Sequence, residues 1–315
     1  MVKVILEYNG HRSEQVVEPI MEFRDKRLAL PSDFLEARTV AVVRDGGLGD
    51  VIMLTAAIHR MVELYPHLRV DYYVNPIYVE LFKGDPYIAD CRPLQALDKR
   101  FYDLVLDCRQ VVEKSHHAKE IDRVTLFSMR LIGEEPREGP RLFLQPLTGE
   151  RHWHVDSLLQ QATGKRVAIA PRSASPYRDW PHANELARLI KQSGNTPYII
   201  DHHDEKLAAV PEAIPAKLDP LQIAWFLKEV DVLVSTDTGV YHVAGAVEDG
   251  PFMVVLFGSI FPPRLRMAWY KNYTALFDPS LPCLGCDMSP KCKPPAPCLA
   301  NISAERVWET IAGRL

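Results

Sequence analysis

Asp50 closes a loop carrying Gly46, Gly47 and Gly49 in "RDGGLGD", which follows the apolar "TVAVV" and runs into "VIMLTAAIHRMVELYP". A carboxylate at such a strand-to-helix junction can accept a proton, because an Asp near its reference pKa of about 3.9 is ionised at neutral pH. It can equally serve as the N-cap of the helix, a position Asp fills well. The loop is similar to phosphate-binding loops but fits neither standard pattern. No Lys-Ser or Lys-Thr follows the glycines, and Ile52 stands where a dinucleotide fingerprint needs a third Gly or Ala. A second junction, "VLVSTDTGVYHVAGAV", places Thr236, Asp237 and Thr238, all good N-cap types, before Gly239. A helix starting there aims free N–H groups and its positive dipole end at an anion such as a diphosphate. Asp237 is then placed either to cap that helix or to hold sugar or ribose hydroxyls, and His242 stands one helical turn after Thr238.

A third cluster is chemically distinct. Cys283, Cys286, Cys292 and Cys298 crowd into "CLGCDMSPKCKPPAPC", a Pro-rich stretch without helix or strand pattern. A C-x-x-C pair with two further thiols can complete a tetrahedral sulfur site, although the spacing matches no common zinc module. The plain alternative is four free thiols in a surface loop. Cys91 and Cys108 lie near strand ends and read as core residues. The pairs His116-His117 and His202-His203, and the "HWH" at 152–154, place neighbouring side chains on diverging directions, so they read as surface or hinge histidines rather than ligands.

The elements that must position these residues alternate. Strands are expected at 39–43, 69–74, 102–107, 166–170, 197–200, 231–235 and 252–258, several of them apolar without alternation, the mark of strands buried on both faces of a parallel sheet. Helical patterns fall between them: "DVIMLTAAIHRMVELYP", "HANELARLIKQSG" and "PLQIAWFLKEV". Strand alternating with helix argues an α/β fold, and the series starts twice, at 39–145 and again at 165–300. The expected organisation is an N-terminal extension (1–37) that adds a strand or small hairpin at "VKVILEY", one α/β domain (38–150) and a second (151–315) that includes the 283–298 loop. The polar "QPLTGERHWHVDSLLQQATGK" is expected to be the hinge, with the final "SAERVWETIAGRL" packing across it. Two such domains facing one another leave a cleft at the C-terminal ends of their strands.

Bulk properties exclude other classes. At 315 residues, 47% hydrophobic and 25% charged, the chain is ordinary for a globular protein of two domains. A net charge of −4 gives no reason to expect nucleic acid as a partner. No apolar run approaches the ~18 residues of a membrane span, and Lys3 and Glu7 interrupt the N-terminal apolar run, so no signal peptide is expected. These features lead us to expect a cytoplasmic protein, with peripheral association at the inner membrane face compatible with them.

The motifs "GGLGDVIMLTAAIHRMVELYP", "APRSASPYRDWP" and "STDTGVYHVAGAV", followed by "VVLFGS", occur in the order and spacing of glycosyltransferase family 9, which the chain resembles over roughly residues 38–312. These are ADP-heptose:lipopolysaccharide heptosyltransferases and their relatives. The resemblance implies the GT-B fold, two Rossmann-like domains with parallel sheets facing across a cleft. It implies inverting transfer of a sugar, heptose foremost, from a nucleotide diphosphate (ADP-linked favoured) to a hydroxyl of a glycan or protein acceptor, with no cofactor for catalysis. Asp50 maps to the proposed general base. Arg178 stands where relatives often carry the phosphate-binding Lys, and Asp237, Thr238, Gly239 and His242 map to the grip on the diphosphate sugar. By the same resemblance Ser173 lies near the phosphates, Glu205 near the ribose and Leu218 against the base. Some relatives with a similar cysteine cluster hold iron, which implies a structural Zn or Fe at the four thiols. The rival readings are a nucleotide-sugar epimerase and a non-catalytic nucleotide-sugar binder on the same scaffold.

Overall fold

The computed structural model describes residues 2–8, 11–17, 31–201, 203–287 and 292–315. The chain begins with an antiparallel hairpin, β1 (Val2–Tyr8) paired to β2 (His11–Val17), matching the element expected at "VKVILEY". After α1 (Pro31–Glu36) come β3 (Thr39–Val43), α2 (Leu48–Leu64), β4 (Arg69–Val74), α3 (Val79–Phe82), β5 (Asp90–Pro93), β6 (Leu104–Asp107) and α4 (Arg123–Ile132). The four strands β3–β6 form a parallel sheet in the order β5-β4-β3-β6.

The second series runs α5 (Gly149–Leu159), β7 (Arg166–Ala170), α6 (Ala183–Gln192), β8 (Thr196–Ile200), α7 (Asp204–Ala208), β9 (Ile214–Ala216), α8 (Pro220–Lys228), β10 (Val232–Thr236), α9 (Gly239–Ala246), β11 (Phe252–Leu256), α10 (Arg264–Met267), β12 (Tyr273–Leu276), α11 (Pro297–Ala300) and α12 (Ala304–Ile311). Its six parallel strands are ordered β12-β11-β10-β7-β8-β9, the doubly wound arrangement. In such sheets the chain winds in opposite directions from a switch point, and ligands bind outside the strand ends there. The switch lies between β7 and β10 in this sheet and between β3 and β6 in the other. Three of the four loops leaving those strands hold residues singled out from the sequence: Asp50 after β3, Ser173 and Arg178 after β7, and Asp237 after β10.

One apolar core runs unbroken through both series, from Val51, Ile58 and Phe127 to Phe226, Tyr241 and Phe257. Its centre is α2, buried at every position from Val51 to His59. A helix apolar on all sides is a core helix, and α2 packs on its own sheet, on α4 and on α9 of the second series. Helix α4 is held in place by its caps: the Asp122 side chain accepts from the Thr125 N–H at 3.0 Å, and Gly133 ends it at φ +72°. A second core beneath the outer face of the larger sheet joins Leu186, Ile190, Val307 and Ile311.

Two helices and three short strands differ from expectation. The segment expected to be a polar hinge is largely helix α5, because Val155 and Leu158, three apart, both turn inward. The terminal helix α12 packs on α6 and the outer core rather than across the two halves, since Val307 and Ile311 find their apolar partners there. The short strands β5, β9 and β12, of three or four residues each, carry too little apolar pattern to stand out in the sequence.

Candidate functional site

Helix α2 begins at Leu48 with Gly47 as its N-cap, in an extended conformation and without a side-chain cap. Asp50 is therefore not the cap. It lies inside the first turn, its N–H donating to the Gly47 carbonyl at 2.9 Å, and its side chain does not cap the helix. The carboxylate meets two guanidinium groups: Arg123, the first residue of α4, donates to Oδ1, and Nη2 of Arg44 lies 3.3 Å from Oδ2. Burial pushes the Asp50 pKa up, but the charges of Arg123 and Arg44 outweigh it, and the group sits below the usual Asp value.

The glycines of this loop have separate reasons. A Cβ on Gly46 would stand 2.6 Å from Arg44 Nε and 2.9 Å from Asp50 Cβ, so the loop closes over the guanidinium only without a side chain. A Cβ on Gly49 would overlap the ring of His242 from α9. Gly47 has nothing within 4 Å of that position.

The reciprocal contact comes from the second junction, where a Cβ on Gly239 would lie 2.7 Å from Leu48 Cβ. The two helix starts thus press together, glycine against side chain on each side. Thr238 is the N-cap of α9 but makes no side-chain cap bond and is half-buried. Asp237 is buried, with Oδ2 3.1 Å from Nη1 of Arg178 and Oδ1 accepting from the Tyr241 hydroxyl at 3.0 Å. Arg178 ends the 3-10 turn Pro176–Arg178 after β7, and its Nε is buried without a hydrogen-bond partner, as is the hydroxyl of Thr236 at the end of β10. Ser173 shapes the same loop: its Oγ donates to the Ser175 carbonyl at 2.9 Å and its N–H donates to Asp179 Oδ1 at 3.2 Å.

His242 sits where the two halves meet. Its Nδ1 pairs with the Tyr270 hydroxyl at 2.8 Å, and its ring lies 4.1 Å from that of Tyr241, centroid to centroid. Burial pushes its pKa down to about 4, helped by the charges of Arg123 and Arg178 and opposed by Asp237 and Asp50. One imidazole, neutral at pH 7, is therefore within electrostatic reach of an Asp–Arg pair from each half. A further clasp fixes the pairing, for the indole N–H of Trp269 donates to Asp122 Oδ1 at 2.9 Å and Arg264 Nη1 to the Glu120 carbonyl at 2.7 Å.

Other expected residues stand apart from this centre. Glu205 is exposed on α7, and Leu218 is buried in the apolar core before α8. A cavity of about 230 Å³ lies beside the second motif, lined by Arg172, Asp179, Trp180, Asn184, Val210 and Pro295, and it includes neither Asp50 nor His242. Arg44, Arg123 and Tyr270 were missed in the sequence, where single Arg and Tyr residues carry no motif.

The structural metal expected at Cys283, Cys286, Cys292 and Cys298 is not supported. All four are free cysteines, Cys283 exposed and Cys298 buried, and among the described residues no three potential ligands are arranged to hold an ion. The thiols are still neighbours: burial first, then the charges of Cys292, Cys286 and Cys283, push Cys298 up to about 11. Residues 288–291 of that loop, and His202 of the histidine pairs, lie outside the described residues. Cys91 and Cys108 are buried as expected, and His116, His152 and His203 are exposed.

Two facing parallel sheets with their switch points turned toward one another define the class, and the comparisons agree. Residues 144–293 match the family model of glycosyltransferase family 9 (heptosyltransferase). The ADP-heptose lipopolysaccharide heptosyltransferase II of E. coli is similar in structure with a TM-score of 0.69 at 15% identity, over 87% of this chain and 98% of that one. A family 9 glycosyltransferase of Veillonella parvula gives 0.68 at 15% identity, over 88% and 96% of the two chains. The iron-containing dodecameric glycosyltransferase TibC of enterotoxigenic E. coli gives 0.67 at 17% identity, over 88% and 78%. No curated protein matches the sequence. The fold is GT-B, and the family 9 match over residues 144–293 supports a glycosyltransferase. The matched segment holds the second and third motifs, while the Asp50 loop precedes it. Among the described residues, no helix is long and apolar enough to cross a membrane.

Proposed function

We propose that the chain transfers a sugar with inversion from a nucleotide-diphosphate donor to an acceptor hydroxyl, with Asp50 as proton acceptor and Arg178 with the α9 start as the seat of the diphosphate. The observation that carries this reading is that the two helix starts press together, Gly49 on His242 and Gly239 on Leu48, with Asp50 paired to Arg123 on one side and Asp237 to Arg178 on the other. Asp50 takes the proton of the acceptor hydroxyl as its oxygen attacks the anomeric carbon, and the bond to the diphosphate oxygen breaks on the opposite face. That oxygen gains charge as it leaves, so cations fixed beforehand stabilise the transition state more than the ground state.

Arg178 is suited to the seat because one of its nitrogens has no partner within the protein, and a planar guanidinium binds phosphate oxygens in pairs. The uncapped N–H groups at the α9 start add a second source of positive potential. Together they supply the charge a divalent cation supplies elsewhere, so the reading routes no step through a metal. Asp237 serves best as the anchor of Arg178, since both its oxygens are already engaged.

ADP-linked heptose is the donor we favour, because solved structures similar in fold include E. coli heptosyltransferase WaaC with ADP-2-deoxy-2-fluoro heptose and TibC with ADP-D-beta-D-heptose. The acceptor is a glycan or protein hydroxyl approaching from the β3–β6 side. A thermal-shift panel of ADP, UDP, GDP and CMP with their sugar conjugates tests the donor. ADP and its sugar conjugates should raise the melting temperature selectively, through a gain in stability of RT ln(1 + [L]/Kd), about 2.7 kcal/mol at a hundredfold excess over Kd. Equal response to all four nucleotides, or to none, would remove the donor assignment.

A further inference from the structure

Asp50 is held from two directions, and the two holders differ in kind. Arg44, just past the end of β3, is 1% exposed and tied on several sides. Its Nη1 donates to the Cys108 carbonyl at 2.9 Å, and its Nη1 and Nη2 reach the two oxygens of Glu113 at 3.2 and 2.6 Å. Its guanidinium carbon lies 5.3 Å from the centre of the Phe127 ring. Gly46 is small because this group fills the space beside it. Arg123 is different: it is partly exposed, stands at the first turn of α4, and has Asp50 as its ion-pair partner. Its backbone is set by Asp122, the cap that also accepts the indole N–H of Trp269 from the second half.

We propose that Arg44 and Arg123 are positioning residues of the transferase: Arg44 fixes the direction of the Asp50 carboxylate from inside the core, and Arg123 holds the same carboxylate from the side where the two halves meet. The proposal rests on the assignment of Asp50 as proton acceptor. A carboxylate mostly withdrawn from solvent, as Asp50 is, stays ionised only while its cations stay in place. Arg44 is locked by Glu113 and Cys108, so it orients. Arg123 is placed by a cap that spans the two halves, so the hold on Asp50 depends on their being docked.

The groups that act on Asp50 are Arg44 from the β3 end, Arg123 from α4 and His242 from α9. Those on which its charge acts in turn include Glu113, Tyr72, Tyr78 and Tyr270. Removing Arg123 takes away one positive charge and leaves the burial, so protonation of Asp50 must move to higher pH. Lys in its place restores the charge without the planar fork.

The experiment is a carboxyl 13C titration of protein labelled at aspartate, with Asp50→Asn to assign the resonance, in wild type, Arg123→Met and Arg123→Lys. Alongside it, turnover of ADP-heptose and affinity for ADP are measured in the same three proteins. The expected result is an upward shift of the Asp50 midpoint in Arg123→Met and recovery of most of it in Arg123→Lys. Turnover should fall about 100-fold in Arg123→Met, with the acid limb of its pH profile moved upward and ADP affinity within twofold of wild type. An Asp50 midpoint that does not move in Arg123→Met, or ADP affinity that falls in step with turnover, would overturn the proposal. Should Arg123→Met fail to fold, a Lys variant with an unchanged midpoint and turnover reduced 100-fold would likewise overturn it. The titration requires no catalysis, so a wild-type protein that turns over no ADP-sugar would sink the transferase reading while leaving the positioning of Asp50 to be judged by its own readout.

Discussion

Asp50 and Asp237 occupy matching places, each at a strand-to-helix junction on the switch point of its sheet, and the protein uses them in different ways. Asp237 directly follows its strand, is buried, and gives one oxygen to Arg178 and the other to Tyr241. Asp50 is the third residue of α2, remains partly exposed, and is paired to Arg44 and Arg123. The same plan of strand, glycine and carboxylate therefore yields an anchor for a cation in one half and a reactive carboxylate in the other. What separates them is where the glycine falls: Gly239 follows Asp237, so the helix begins after the carboxylate, whereas Gly47 caps a helix that already contains Asp50.

The largest effect on stability expected to bear on this comparison is a pH dependence at their shared neighbour. His242 faces Asp237, Asp50, Arg123 and Arg178, and its pKa is held at about 4 against an ordinary 6.5. Between those values the unfolded chain binds a proton that the folded protein does not, so stability rises with pH across that window and falls on acidification. The contribution is on the order of 2–3 kcal/mol between pH 7 and pH 4.5. Urea unfolding at the two pH values should show a steep loss in wild type and a shallower one in His242→Gln. Equal slopes in both would mean that the imidazole is not sealed between the two carboxylates.

A smaller effect separates two neighbouring glycines. Gly49→Ala drives a methyl group into the His242 ring and should cost about 1–3 kcal/mol, the usual range for overpacking a fixed site. Gly47→Ala meets nothing within 4 Å at a φ of −67° and should stay within about 0.5 kcal/mol of wild type. Chemical melts of the two variants check this, and similar losses in both would mean that α2 and α9 do not press together at their starts.

Much of the fold was legible because apolar runs in parallel sheets are long and unmixed. "TVAVV", "RVDYYV" and "RVAIA" became β3, β4 and β7 with the bounds read from the sequence. Helix α4 was not anticipated, although "DRVTLFSMRLIG" carries an Asp cap and a terminal glycine, because its apolar face is short. The hinge was misread for a related reason: two inward residues suffice to make α5 a helix when a neighbouring core receives them. Of the site, the carboxylates and the glycines were legible because their positions at strand ends are local. Arg44, Arg123 and Tyr270 were not, since they act through contacts 69, 73 and 28 residues away in the chain, which no local spacing encodes.

Asp50→Asn measures the difference between the two carboxylates most directly. Turnover of ADP-heptose by this variant should fall about 10²–10⁴-fold, the range for loss of a general base, while ADP affinity stays near the wild-type value because Arg178 and Asp237 are untouched. Turnover at the wild-type rate, or loss of ADP binding in proportion to the loss of turnover, would contradict the assignment of Asp50 as the group that takes the proton.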